Sequence, residues 1–190
     1  RHLLNHTSGL SYGFFEPKGS AYHRLGISDG LDHQPGLTLQ ENLHRLAQAP
    51  LGFAPGTAWQ YSLGLDVIGA VLEQASGESL PALVARLITG PLGLADTGFV
   101  VTDRARLAGA YADGTPEPGL IGENVDVPML EQAVRFAPGR VFDPQAYPSG
   151  GAGMVGTAGD VLAFLETVRR GGTPLLAPET VETMTVNQLD

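Results

Sequence analysis

The chain has 190 residues, with 20 acidic against 11 basic side chains for a formal charge of −9, and no cysteine. The missing thiol excludes disulfide scaffolds, cysteine zinc sites and a cysteine nucleophile, although it says nothing about compartment. The acidic balance, with no basic run beyond Arg169-Arg170, argues against nucleic acid or an anionic membrane as partner. Lys18 is the single lysine; every other basic residue is arginine. With 43% hydrophobic and 16% charged residues the composition is that of a globular chain, and no apolar run approaches the ~18 residues of a membrane span. The 26 glycines and 14 prolines imply much turn and loop. The length suits one domain or a large piece of one. Because the chain opens at Arg1 directly in patterned sequence, it is expected to be a fragment.

Residues 1–6 read as the last turns of a helix stopped by Thr7-Ser8-Gly9, with no N-cap before them. Residues 11–37 are rich in aromatic, Gly and Pro residues without sustained period and read as irregular. Thr38-Leu39-Gln40-Glu41 is a capping box; Leu39, Leu43 and Leu46 form the apolar face of the helix it opens, which ends at Pro50. A second helix follows Pro55-Gly56, its stripe Tyr61, Leu65, Ile68, Leu72 and Ala75 spaced 4, 3, 4, 3, and Gly77 closes it. A third starts at Ser79, turns Leu83, Val84, Leu87 and Ile88 inward and stops at Gly90-Pro91. Residues 97–150 alternate short apolar runs with Gly, Pro and Asp, giving long loops with two or three short strands. A helix from Thr157, with Asp160 in its first turn, carries Val161, Phe164, Leu165 and Val168 inward and ends at Gly171-Gly172. Pro178 opens a last helix through Met184. The expected fold is mainly α with a small β component.

Three motifs tempt and fail on context. Gly26-Ile27-Ser28-Asp29-Gly30 fits G-x-S-x-G, but that elbow needs a buried strand before the serine and a helix after it; Ala21-Tyr22-His23-Arg24 is not such a strand and Pro35-Gly36 breaks any helix after the serine. Gly151-Ala152-Gly153-Met154-Val155-Gly156 fits the dinucleotide fingerprint, yet Tyr147-Pro148-Ser149-Gly150 before it is turn sequence. These glycines instead let the backbone pass close to another surface. His2 and His6 have the four-residue spacing of zinc ligands, but Leu3 stands where the general-base glutamate belongs and no third ligand is near. No metal and no cofactor are expected.

Three segments, in order and with matching spacing, resemble the serine β-lactamase and penicillin-binding-protein-like superfamily. Within it they are most similar to the branch of class C β-lactamases, D-alanyl-D-alanine peptidases and family VIII carboxylesterases. Residues 1–10, Arg-His-Leu-Leu-Asn-His-Thr-Ser-Gly-Leu, are similar to its "LLTHTSGL" segment. Residues 55–69, from Pro55-Gly56 through Tyr61-Ser62-Leu63 to Gly69, resemble the block that carries the catalytic tyrosine. Residues 150–160, Gly-Gly-Ala-Gly-Met-Val-Gly-Thr-Ala-Gly-Asp, are similar to its "GGGGL.STA.D" helix start.

The resemblance implies acyl transfer through a serine of a Ser-x-x-Lys motif, with Tyr61 as the proton-transfer tyrosine. A free phenol, with a pKa of about 10, is a poor base, and a neighbouring ammonium favours its charged form. The alternative is that Tyr61 merely opens the apolar stripe. Leu63 stands where lactamases and peptidases place a substrate-contacting Asn, which favours simple or bulky esters over a β-lactam or peptidyl amide. Ser149, Gly150 and Gly151 are expected at the cleft edge, and His6-Thr7-Ser8-Gly9 in a packing and turn role. Phe15 lies three residues before Lys18, so Ser-x-x-Lys is not within these residues. A Lys-Thr-Gly-like or His-x-Gly-like motif is not recognisable before Asp190. Residues 1–190 are therefore expected to be the central, mostly helical part of one β-lactamase-like α+β domain, truncated at both ends and inactive alone, with the full protein an esterase-type serine hydrolase. A β-lactamase or peptidase, a non-catalytic binding module and a zinc hydrolase are the alternatives. Partners implied are a small ester or β-lactam substrate and, for a helical half parted from its sheet, further copies of itself through exposed apolar surface.

Overall fold

The structure, a computed structural model, describes residues 1–129 and 132–189. Among them, helical segments dominate and the β structure amounts to two small antiparallel ribbons and one isolated bridge between Gly98 and Val155, so the chain is mainly α with a small β component. Among the described residues no helix is long and apolar enough to cross a membrane.

Residues 1–6 form hydrogen-bonded turns and not a helix end, with the Leu4 and Asn5 amides both donating to the Arg1 carbonyl. The stretch read as irregular contains a 3₁₀ turn at Gly13–Phe15 and a short helix α1 (Ala21–Arg24); four residues leave no period to detect. Helix α2 (Leu39–Leu46) begins where its cap predicts, the Thr38 hydroxyl accepting the Glu41 amide at 3.1 Å. The return half of the capping box is absent, because Glu41 pairs with Arg45 at 3.0 Å instead.

Helix α3 (Gly64–Ser76) starts three residues after Tyr61 and ends at Gly77, whose φ is 72°. Its buried positions are Gly64, Asp66 and Gly69, so the small-residue face, not the predicted stripe, meets the rest of the chain. Leu72 and Ala75 are exposed. Helix α4 (Leu80–Val84), capped by Ser79, passes through a π turn at Ala85–Thr89 into α5 (Gly90–Leu92). The expected stop at Gly90-Pro91 is thus a continuation. The π turn carries the Gly90 amide back to the Ala85 carbonyl, and Pro91 falls in the first turn of α5, where no amide donor is needed.

Strands β1 (Tyr111–Ala112) and β2 (Gly119–Leu120) form one ribbon; β3 (Val125–Met129) and β4 (Gln132–Phe136) form the other, in register Val127 to Val134. Helix α6 (Ala158–Arg169) is capped by Thr157, which accepts the Asp160 amide at 3.1 Å. Asp160 in turn holds the Thr97 hydroxyl at 2.8 Å. Val161 and Leu165, expected inward, are 51% and 56% exposed: periodicity identifies the apolar side of a helix but not what covers it. Helix α7 (Pro178–Thr185) matches its predicted span.

The main core gathers Tyr12, Tyr22, Ile27, Leu46 and Leu63, with Leu43 and Val67 packed on its edge. Beside it Asn42, on the buried side of α2, anchors the 26–30 loop. Its Oδ1 accepts the Ser28 amide at 2.8 Å and its Nδ2 donates to the Ser28 carbonyl at 3.0 Å. Removing that side chain leaves a buried donor and acceptor unpaired. Asn42→Ala is therefore expected to lose about 2–4 kcal/mol, read as a shifted midpoint in urea denaturation; a change below ~1 kcal/mol would contradict this anchoring role.

Candidate active site

The first eleven residues run alongside residues 52–63 and hold them by main-chain hydrogen bonds. The Gln60 amide donates to the His6 carbonyl at 2.9 Å and the Leu63 amide to the Ser11 carbonyl at 3.3 Å. Between these two anchors the Ser62 amide donates to His6 Nδ1 at 3.3 Å. Tyr61 sits in the middle of this laced segment. Its neighbours Ser62 and Leu63 are fully buried, while Tyr61 itself is 42% exposed. The segment is fixed inward at 62 and 63, so the phenol is presented outward.

An aromatic cluster surrounds that phenol. The Tyr61 ring centroid is 4.8 Å from that of His6 and 5.1 Å from that of Tyr12; Trp59 meets His6 edge-on at 6.1 Å. Burial, followed by the neighbouring Tyr61 and Asp66, pushes the Tyr12 hydroxyl well above the ordinary tyrosine range. Burial lowers the pKa of His6. Both groups are thereby kept neutral.

Behind Tyr12, Asp66 is 1% exposed and neither carboxylate oxygen has a hydrogen-bond partner among the described residues. Burial raises its pKa; the Ser149 hydroxyl and, more weakly, the Arg140 guanidinium and Gly150 amide pull the other way. These donors favour the charged form from nearby without reaching hydrogen-bonding geometry. The Ser149–Gly151 turn folds over this spot. A methyl group on Gly150 would come 2.5 Å from the Leu65 carbonyl, and one on Gly151 would come 3.1 Å from Asp66 Oδ2 and 3.2 Å from the Tyr12 hydroxyl. The close approach demands glycine at 150.

The structure thus brings Tyr61 and the Gly150–Gly151 turn to the same aromatic cluster through Tyr12. It treats the other two expected contact residues differently. Leu63 is at 0% exposure in the main core, so its side chain packs and does not face a ligand here. Ser149 is 1% exposed and its hydroxyl turns inward to accept the amides of Gly151 and Ala152 at 3.3 and 3.0 Å. Sequence reasoning missed Tyr12 and Asp66. Asp66 carried a signal, being the one charge inside the apolar run Gly64–Leu72.

The decoy motifs resolve physically. Ser28 is 2% exposed and its hydroxyl donates to the Asp32 carboxylate, so it is neither accessible nor free. His2 Nδ1 is at 2.8 Å from the Thr7 hydroxyl while His6 serves Ser62, so the two imidazoles do not converge. A groove of about 590 Å³ lined by Glu73, Thr89, Phe99 and Tyr147 contains none of His6, Tyr61 or Gly150–Gly151. The space over Tyr61 lies outside it.

The beta-lactamase family matches the chain over residues 1–190. Esterase EstB of Burkholderia gladioli is 56% identical over 183 residues, covering 95% of this chain and 46% of the esterase. Lovastatin esterase of Penicillium rubens is 32% identical over 183 residues, covering 96% of this chain and 42% of that enzyme. Among solved structures, EstCE1, described as a hydrolase with promiscuous acyltransferase activity, superposes with a TM-score of 0.90 at 49% identity, covering 95% of this chain and 48% of its own. The chain spans about half the length of the relatives it matches.

One titratable group next to the aromatic cluster yields a pH prediction. Asp29 is half-buried and accepts the Gly13 amide at 2.6 Å, fixing the turn after Tyr12. Burial pushes its carboxyl up to about 6 from 3.8, against the pull of the Gly13 and Phe14 amides. Between those values the folded chain holds a proton that the unfolded chain has released. The stability carried by neutral Asp29 is therefore full below about 4 and is lost as pH rises through about 6. Asp29→Asn is expected to be more stable than the native chain by about 1–2 kcal/mol at pH 7.5, with the difference closing near pH 4. Urea denaturation across that range checks it.

Proposed function

The chain belongs to the beta-lactamase family, and from that premise we propose that the protein containing it is a serine hydrolase of carboxylesterase type. In this reading a serine of a Ser-x-x-Lys segment attacks the ester carbonyl and Tyr61, paired with that lysine, takes the serine proton. The pair returns the proton to the departing alkoxide, leaving an acyl-serine. Water then attacks the acyl-serine carbonyl by the same route, its proton passing through the pair to the departing serine oxygen, which restores the free serine hydroxyl and releases the acid. The 190 residues are the central, mostly helical part of the domain that carries this site. They contain no Ser-x-x-Lys, so they do not turn over substrate alone.

The observation that supports this most is the presentation of Tyr61. A phenol held exposed just before two fully buried residues, Ser62 and Leu63, on a segment laced by main-chain hydrogen bonds, is placed as a positioned reactive group is placed. A stripe residue of a helix would be placed otherwise, and α3 begins only at Gly64. The relatives named as esterases favour an ester as the substrate class. Leu63, packed in the core, does not bear on that choice. A β-lactamase or peptidase activity is the second reading.

In the full-length protein, Tyr61→Phe is expected to lower kcat on a p-nitrophenyl ester by roughly 100-fold or more. A variant at the native rate overturns the assignment. The unsubstituted enzyme is expected to prefer that ester to a chromogenic cephalosporin, with kcat/KM measured for both; the reverse preference establishes the lactamase reading. For the 190-residue chain by itself, the uncovered Val161, Leu162 and Leu165 face of α6, at 51%, 67% and 56% exposure, is expected to drive self-association. Sedimentation velocity showing a monomer at all concentrations would contradict this.

A further inference from the structure

His6 occupies a backbone conformation uncommon outside glycine. Its φ is 57°, and among the described residues it is the one non-glycine with positive φ. Left-handed backbone favours glycine and, next, asparagine, aspartate and histidine; a non-glycine residue there costs of order 1 kcal/mol. A position that suits glycine yet holds an imidazole needs a side-chain reason, and the contacts supply one. His6 grips the Tyr61 segment on both sides, its carbonyl accepting the Gln60 amide at 2.9 Å and its Nδ1 accepting the Ser62 amide at 3.3 Å. The Ser62 hydroxyl is also 3.3 Å from Nδ1. Because an amide N–H can only donate, Nδ1 must be the unprotonated nitrogen, and burial that lowers the pKa of His6 keeps it so. The ring itself lies against Tyr61, with centroids 4.8 Å apart.

We propose that His6 is the positioning residue of Tyr61: its imidazole fixes the main chain beside the phenol through Nδ1 and walls one side of the ring. It does not exchange protons with substrate. This rests on the reading of Tyr61 as the proton-transfer group.

Two substitutions separate the roles of side chain and backbone. Both His6→Gly and His6→Asn accept a left-handed φ. Only asparagine keeps an acceptor, its Oδ1, close to where Nδ1 sits. In the full-length protein, with p-nitrophenyl ester as substrate, H6G is expected to lower kcat by roughly 10- to 100-fold with KM changed by less than about threefold. H6N is expected to recover most of that loss. Thermal midpoints within a few degrees of the native protein confirm that both variants fold. If H6G and H6N keep the native kcat while Y61F is inactive, the positioning role is overturned and the Tyr61 reading stands. If H6N loses as much as H6G, the Nδ1 contact is not the means and the inference fails. If Y61F itself retains the native rate, the Tyr61 reading fails instead.

Discussion

The constraint on which the rest depends is the lacing of residues 6–11 onto residues 52–63. Four main-chain hydrogen bonds carry it: Gly52 to the Gly9 carbonyl, Gly56 to Thr7, Gln60 to His6 and Leu63 to Ser11, at 2.8, 2.7, 2.9 and 3.3 Å. The two segments lie so close that a methyl group on Gly9 would stand 2.3 Å from the Phe53 carbonyl, and the φ of Gly9 is 84°. No other residue combines that dihedral with that space. Thr7-Ser8-Gly9 is therefore a backbone device: the three are buried because the main chain must pass there. The placement of Tyr61 on which its proposed role rests depends on this lace, as does the start of α3 directly after it.

A second layer of constraint comes from side chains that hydrogen-bond to loop backbone in place of a sheet. Arg140, 8% exposed, donates to the carbonyls of Gly30 and Tyr147; Asn42 spans Ser28; Ser149 caps its own turn. Such bonds are strong in a low-dielectric interior and costly when one partner is lost. They pin the 26–32 and 138–151 loops to one another and, through Asn42, to α2 with little regular structure. The Gly150–Gly151 turn over Asp66 is held by this network, so the floor of the candidate site and its rim share the same supports.

Local signals were legible in the sequence and long-range ones were not. The caps at Thr38, Ser79 and Thr157 each accept an amide of the first helical turn, because capping depends on three or four adjacent residues. The Tyr61 stripe misled because period 3.6 marks an apolar side whether or not the segment is helical at its first member. Tyr61 precedes the helix, and its place is set by residues some fifty positions earlier. Leu63 shows the same limit. Its motif position suggested substrate contact, yet the Tyr12, Tyr22 and Leu46 side chains that enclose it are joined to it only by tertiary packing. Asp66 and Tyr12 approach each other across a glycine turn from residue 151, a juxtaposition that no local pattern encodes.

The electrostatics of the cluster tie the site back to the single lysine. Beside Tyr61, Tyr12 keeps its proton and His6 is neutral, and burial raises the pKa of Asp66 behind them. Such surroundings give shape but do not favour a phenolate, which needs a nearby cation. Lys18 sits in the exposed Pro17–Gly19 stretch, without a serine three residues before it. A proton-accepting Tyr61 therefore needs an ammonium contributed by chain outside the described residues. A neutral, aromatic, tightly laced floor suits that arrangement: it lets one incoming lysine set the charge state of the phenol without competition from its own side.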